Sequence, residues 1–254
     1  MPGNGGGGEA FITPPRATHV REPIILSWSG GKDSSLALAA LRADDAVDVV
    51  GLLTSVTRGY DRISIHGVRR SLLAAQAASL GLPLTEVTLE PACSNADYEA
   101  AFHDAAYQLQ RAHPSLERIA FGDLFLADVR DYRERLLAPL QLRGYYPLWD
   151  TDTTQLAHEF IHAGYRARLV CVDTTQLAAE FAGRAFDRSL LDDLPSSVDA
   201  CGEGGEFHTF VSAGPIFSTP IPYQVGAVVI RDERFAYCDL LDAVVETLPL
   251  NTGH

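Results

Sequence analysis

Lysine is all but missing from this chain. Lys32 is the one lysine among 20 basic residues, which face 33 acidic ones for a formal net charge of -13. That balance argues against nucleic acid as the main partner, because binding a polyanion depends on clustered Lys and Arg neutralising phosphates. Paired cysteines are lacking too. Cys93, Cys171, Cys201 and Cys238 stand far apart with no C-x-x-C, which excludes a zinc knuckle or a two-thiol redox centre and leaves scattered structural thiols. No stretch approaches the roughly 20 unbroken apolar residues of a membrane span. The N-terminus lacks the apolar core of a secretory signal. The expected protein is cytoplasmic, without a membrane, and acts on a small molecule or another protein.

What is present is a chain of 254 residues, 46% hydrophobic, enough for one or two compact domains. Met1 to Glu22, with Gly3, the run Gly5 to Gly8 and Pro14-Pro15, has too little apolar surface to order itself and is expected to be a disordered leader. Short β-type runs then alternate with helical ones. Ile24 to Leu26 leads through a glycine turn into a helix around Leu36 to Leu41. Val47 to Val56 is a buried strand, His66 to Leu80 an amphipathic helix and Leu84 to Leu89 a strand. A helix over Asn95 to Arg111, a strand at Arg118 to Phe121 and a helix over Ala127 to Leu142 continue the alternation. The pattern predicts an α/β fold: a Rossmann-like parallel sheet over residues 23–148, with helices on both faces.

After Trp149 the texture changes, and a smaller α+β substrate domain is expected over residues 149–254. It should hold helices at Gln155 to His162 and Gln176 to Phe181, a strand at Ala167 to Val172, and a hairpin of Val225 to Ile230 and Phe235 to Tyr237 about Asp232-Glu233. Asp152 to Phe160 and Asp173 to Phe181 nearly repeat each other. Both look like helix starts in which Asp caps and Gln reaches back, so shared capping explains the likeness.

Ser29-Gly30-Gly31-Lys32-Asp33-Ser34 sits between an apolar strand and an alanine-rich helix, where backbone N–H groups converge on an anion. Glycine lets the main chain approach a phosphate closely. Lys32 adds a point charge, Ser29 and Ser34 offer hydroxyls, and Asp33 is the candidate ligand for a magnesium ion bridging phosphate oxygens. The four-residue spacer of a Walker loop is absent, so kinase and GTPase readings lose their main support. The bland alternative is a strand-to-helix turn rich in Gly and Ser. Composition gives Lys32 further weight: a chain that uses Arg almost everywhere keeps Lys where a compact ammonium has no substitute, although chance survival accounts for it equally simply.

Cys201 to Val211 is the second concentration of chemistry. Glu203, Glu206 and His208 surround Gly204-Gly205, and a carboxylate or imidazole there is suited to taking a proton near neutral pH. Binding magnesium, fixing an amine and a plain solvated loop are the alternatives. Gly122-Asp123 follows a strand end, where open parallel sheets place ligand groups, so Asp123 is a candidate contact to ATP or substrate. Arg130 and Glu134 are i,i+4 neighbours able to pair on one helix face. Arg58, Arg62, Arg69 and Arg70 either neutralise phosphates or are surface charge.

Ser29, Gly30, Gly31, Asp33 and Ser34 match the S-G-G-x-D-S signature of the PP-loop, or N-type ATP pyrophosphatase, superfamily. With Phe121 to Leu124, the helix Asp128 to Leu136, Gly183 to Asp187 and Cys201 to Val211, the chain from Ile24 to Ile221 resembles the branch that includes diphthine ammonia ligase. The resemblance implies a nucleotide domain and a smaller substrate domain. It also implies ATP and Mg2+, a carboxylate adenylated with loss of pyrophosphate, and ammonia displacing AMP to leave an amide. By that resemblance Arg130, Glu134, Asp187, Gly204, Gly205 and Thr209 fall on the substrate side, and a homodimer is possible. Two positions depart from the pattern: His208 stands where the diphthine-type motif carries an acidic residue, and Ala185 where relatives often do. The rival enzyme reading, sulfur transfer to tRNA, lacks its cysteine pair and basic surface. A rival of another class is an ATP-sensing module without turnover.

Overall fold

The computed structural model describes residues 21–59, 62–63 and 67–243. The expected leader up to Val20 lies outside them, as does His66. The first sheet contains β1 (Glu22–Ser27), β2 (Val47–Thr57), β3 (Arg62–Ile63), β4 (Leu84–Leu89), β5 (Arg118–Ala120) and β6 (Arg143–Tyr145). Its five parallel strands run in the order β4-β2-β1-β5-β6, and β3 adds a short antiparallel ladder to the end of β2. The order reverses direction between β1 and β5. In an open parallel sheet that switch point opens a crevice at the carboxyl ends of the strands.

Alternation along β1 decides which helix goes where. Ile24 and Leu26 pack with α1 (Lys32–Ala43) and α2 (Arg70–Leu80) through Leu38, Leu41, Leu72 and Leu73. Ile25 faces the other way, towards α3 (Asn95–Ala112) and α4 (Ala127–Leu137), where Phe102, Leu136 and Leu137 are buried. Side chains of a strand alternate between faces, so three consecutive apolar residues demand cover on both.

The second sheet is antiparallel, in the order β8-β7-β10-β9, built from β7 (Arg166–Asp173), β8 (Phe207–Ala213), β9 (Tyr223–Arg231) and β10 (Phe235–Asp242). With α5 (Thr153–His162) it packs on the α1/α2 side. Leu169, Val172, Phe210, Val211 and Leu240 belong to the same buried cluster as Ile24, Leu38 and Leu73. The turn between β9 and β10 uses Asp232 and Glu233 at φ of 51° and 52°.

Two local expectations fail. Residues Gln176 to Phe181 are not a helix; they form a turn and a single 3-10 turn at Ala179–Phe181. The reason is in the two capping segments. Asp152 does cap α5, accepting from Gln155 N at 2.7 Å. Asp173 instead ends β7, and its carboxylate is engaged by Arg234 at 2.6 and 3.0 Å and by Thr175 Oγ1 at 2.7 Å. Gln176 does reach back, its Nε2 donating to Asp173 Oδ2 at 3.2 Å, whereas at α5 the reach-back is not made and Gln155 Nε2 donates to Glu159. Tertiary partners override the local capping signal.

Candidate active site

The loop after β1 enters α1 at the switch point. Gly30 takes φ +78°, and a Cβ there would lie 2.7 Å from Gln76 Oε1, so only glycine fits. Gly31 precedes α1 without any side-chain cap. Ser34 and Ser35 both donate to Gly31 O, at 3.0 and 2.9 Å, and the Ser29 and Ser34 hydroxyls meet at 3.2 Å. The loop is thereby folded on itself before any ligand arrives, with the positive end of the α1 dipole facing the crevice.

Lys32 is buried, and its Nζ lies 2.5 Å from Asp33 Oδ1. Burial disfavours the ammonium, yet Asp33, with Glu203 beyond it, outweighs that and holds the amine above its ordinary value. Burial also pushes the Asp33 carboxyl up against the pull of Lys32, and its side chain keeps 29% exposure. The Lys32 amide donates to Thr209 Oγ1 at 3.0 Å, so β8 of the second sheet touches the first residue of α1.

The segment Asp199 to Glu206 brings the second constellation to the same place. Asp199 Oδ1 accepts from Cys201 N and Glu203 N, at 2.8 and 3.2 Å, and its Oδ2 accepts from Thr153 Oγ1 at 2.6 Å. Gly202 and Gly205, at φ +72° and +81°, turn the chain at Glu203, which lies within electrostatic reach of Asp33 and Lys32. Burial, reinforced by Asp33 and opposed by Lys32, lifts the Glu203 carboxyl to about 7. His208 is pushed down to about 4 by burial and by the positive Lys32, and is therefore neutral near pH 7. Burial takes the Cys201 thiol up to about 12, so it stays protonated; it donates weakly to Thr153 O at 3.3 Å.

The remaining expected residues divide. Glu206 is buried; its Oε1 accepts from Asp199 N at 3.0 Å, and its Oε2 has no hydrogen-bond partner among the described residues. Gly204 O receives Gln176 Nε2 at 3.3 Å. Asp123 lies at the crevice but is gripped by Arg133 through two bonds of 2.5 and 3.0 Å. Arg130 does not pair with Glu134. It stacks on Tyr146 and Trp149, at 4.7 and 4.6 Å from the ring centroids, while Glu134 accepts from Gly144 N. Asp187 caps the short helix α6 (Arg188–Asp193) by accepting from Leu190 N, and it lines a separate cavity of about 440 Å³ beside Tyr165, Arg166 and Tyr223. Arg58, Arg69 and Arg70 are held in ion pairs with Glu90, Asp239 and Glu86.

Three contributors escape a reading of the sequence: Asp199, Arg133 and Gln76. Gln76 alone carried a signal, as the polar member of a stripe with Leu72, Leu73, Ala77 and Leu80.

Residues 23–143 match the model of the diphthamide synthase N-terminal domain, and residues 152–237 that of the diphthamide synthase C-terminal domain. A diphthine–ammonia ligase of Danio rerio is 30% identical over 241 residues, covering 82% of this chain and 89% of the relative. The Homo sapiens diphthine–ammonia ligase is 26% identical over 225 residues, covering 80% and 83%. That of Schizosaccharomyces pombe is 26% identical over 217 residues, but the matched part spans only 34% of the relative's own length. Among the described residues no helix is long and apolar enough to cross a membrane. With both family domains matched in order along it, the chain belongs to the diphthamide synthase family, the diphthine–ammonia ligase-like branch of the PP-loop ATP pyrophosphatases.

Proposed function

We propose that this chain is an ATP-dependent carbon–nitrogen ligase that adenylates a carboxylate and converts it to an amide with ammonia. A carboxylate oxygen of the acceptor attacks the α phosphorus of ATP, and pyrophosphate leaves. Ammonia then attacks the acyl carbon of the adenylate, sheds a proton and releases AMP. The observation that carries this reading is the meeting of Lys32 and Asp33 with Glu203 at the switch point, a fixed cation beside a carboxyl that titrates at about 7. Such a group is half ionised near neutral pH and suited to receive the proton of the attacking nitrogen. His208, neutral and held at about 4, is assigned to shaping the acceptor side.

Lys32 and the N-terminus of α1 oppose the charge that develops on the departing pyrophosphate, and because they are already ordered, little rearrangement is needed as the bond breaks. The donor set fits a magnesium ion only in part: Asp33 is exposed enough to be a ligand, and among the described residues no three His, Cys, Asp or Glu side chains form a cation site. Asp33 is the residue that would hold a magnesium ion, which would supply charge neutralisation there. The acceptor is a carboxylate-bearing small molecule or protein, with diphthine the first to test because the relatives are named for it. Incubation with magnesium, ATP, labelled ammonium and a diphthine-bearing acceptor should yield AMP, pyrophosphate and one labelled amide. Formation of ADP, or ATP that binds and stays intact, overturns the reading in favour of plain hydrolysis or an ATP sensor.

A further inference from the structure

Gln76 stands in the middle of α2 with no exposed surface at all, and every polar atom of its amide is used. Its Oε1 accepts from the indole Nε1 of Trp28 at 3.0 Å. Its Nε2 donates to Gly30 O at 3.0 Å and to Val211 O at 2.6 Å. Gly30 O also accepts from Val211 N at 2.9 Å. One side chain thus joins the exit of β1, the left-handed residue of the phosphate loop and strand β8.

The chemistry of the partners admits few substitutes. Trp28 Nε1 can only donate and the two carbonyls can only accept, so the bridging group needs one acceptor and two donor hydrogens on adjacent atoms, which a primary amide supplies. An aliphatic residue would leave the buried Trp28 Nε1 without its acceptor and take one donor from each carbonyl, Gly30 O keeping only Val211 N. An ionised carboxylate would satisfy Trp28 and repel both carbonyls. The grip falls on Gly30, whose conformation aims the following amides, and on Val211, two residues beyond the Thr209 that receives the Lys32 amide.

We propose that Gln76 is a positioning residue that holds the phosphate loop in register with the second sheet, so that the phosphate cradle keeps its shape only while this amide bridges Gly30 and Val211. The inference rests on the phosphate-loop reading of Ser29 to Ser34 given above. It concerns a group that touches no nucleotide and acts through Gly30.

Q76E is the informative variant because it preserves size and changes donor number with pH. When protonated, the new carboxyl donates to one carbonyl and accepts from Trp28; when ionised it donates to neither. The groups that meet Gln76 directly are not titratable. Charged or titratable groups on the elements packed there are Lys32, Asp33 and Arg42 on α1, Arg69 and Arg70 at the start of α2, and His208 on β8. These and Glu203 are shared with the wild type, so the quantity to compare is the variant-to-wild-type ratio at each pH.

Binding of ATP, of inorganic pyrophosphate and of adenosine should be titrated for wild type, Q76E and Q76M at about pH 6 and about pH 8, with thermal unfolding recorded beside each. The expected result for Q76E is about tenfold weaker ATP and pyrophosphate binding at the higher pH, recovering to within about threefold at the lower, with adenosine unchanged throughout. Q76M should be weak for both phosphate ligands at either pH. Equal loss for adenosine, a pH-independent deficit in Q76E, or wild-type phosphate binding by folded Q76M overturns the proposal; so does a loss that follows the unfolding temperature alone. If the wild type itself binds neither ATP nor pyrophosphate, it is the phosphate-loop reading that fails, a result distinct from wild-type binding that Q76E and Q76M share.

Discussion

Glu203 illustrates how a few side chains set one titration. Its carboxyl moves from an ordinary value of 4.5 to about 7 because burial and Asp33 outweigh the help of Lys32. Its ionised form is therefore disfavoured in the folded state. The carboxyl contributes most favourably to stability below about pH 4.5 and loses that contribution as the pH climbs through about 7. Glu203→Gln should accordingly raise the melting temperature at about pH 8 and alter it less at about pH 5. The same variant should lower amide formation and flatten its pH profile near neutrality, as measured by release of AMP with ammonium as nitrogen source. A melting temperature reduced at the higher pH would show that the carboxylate is stabilising and sink its assignment as the base. Lys32→Ala removes the buried cation beside Asp33, and on the proposed ATP-binding role should cost about 2 to 4 kcal/mol of transition-state stabilisation. Pyrophosphate release measured with saturating magnesium and ATP checks it.

At the scale of elements, the crevice depends on how closely the end of β5 approaches the start of α1. A Cβ on Gly122 would stand 2.9 Å from the Asp33 carbonyl carbon and 3.0 Å from Ser34 N, both main-chain atoms that cannot turn aside. Gly122→Ala should therefore destabilise the protein by about 1 to 3 kcal/mol and weaken ATP binding by displacing the first turn of α1. Urea unfolding and ATP titration report the two effects separately. The period-2 and period-3.6 patterns made β1, β2, β4, α2 and α3 legible within a few residues, because each buries a stripe or a face. The three-residue β5, Arg118 to Ala120, pairs β1 on one side and the three-residue β6, Arg143 to Tyr145, on the other. Of these, β5 was legible from its apolar Ile119 and Ala120, whereas β6, with Gly144 at its centre, shows no apolar run. Asp173 to Phe181 misled in the opposite way: a sound capping signal was overridden by Arg234, which arrives from the β9–β10 turn.

Of the two buried clusters, the larger includes Ile24, Leu73, Val172, Phe210 and Leu240, so the two sheets share that core, while the smaller, around Ile25 and Phe102, lies on the other face of the first sheet. Unfolding of the intact chain should be a single transition, coincident by circular dichroism and by the fluorescence of Trp28, which is 1% exposed where the two sheets meet. Residues 21–146 expressed alone should bind a hydrophobic dye and melt without cooperativity, because Trp28 and Leu73 would lose their cover. Two separate transitions in the intact chain would show independent domains. Thr209→Val is the matching single-site test. It leaves the buried Lys32 amide without its acceptor, at a cost of about 1 to 3 kcal/mol, and ATP affinity should fall with stability.

Residue type and order along the chain were sufficient for the parallel sheet, for the glycine-rich turn at Ser29 to Ser34 and for the concentration of acid around Glu203, because those features depend on local period, glycine and charge. The sequence could not determine that loop and acid would meet, since 171 positions separate Lys32 from Glu203 and no local interaction spans that distance. Tertiary structure alone decided that Asp123 is held by Arg133, that Arg130 stacks on Tyr146 and Trp149 instead of pairing with Glu134, and that Glu203 rather than His208 titrates near neutrality. In each case the deciding quantity is burial next to a particular charge or ring. A side chain acquires that environment only when distant elements pack.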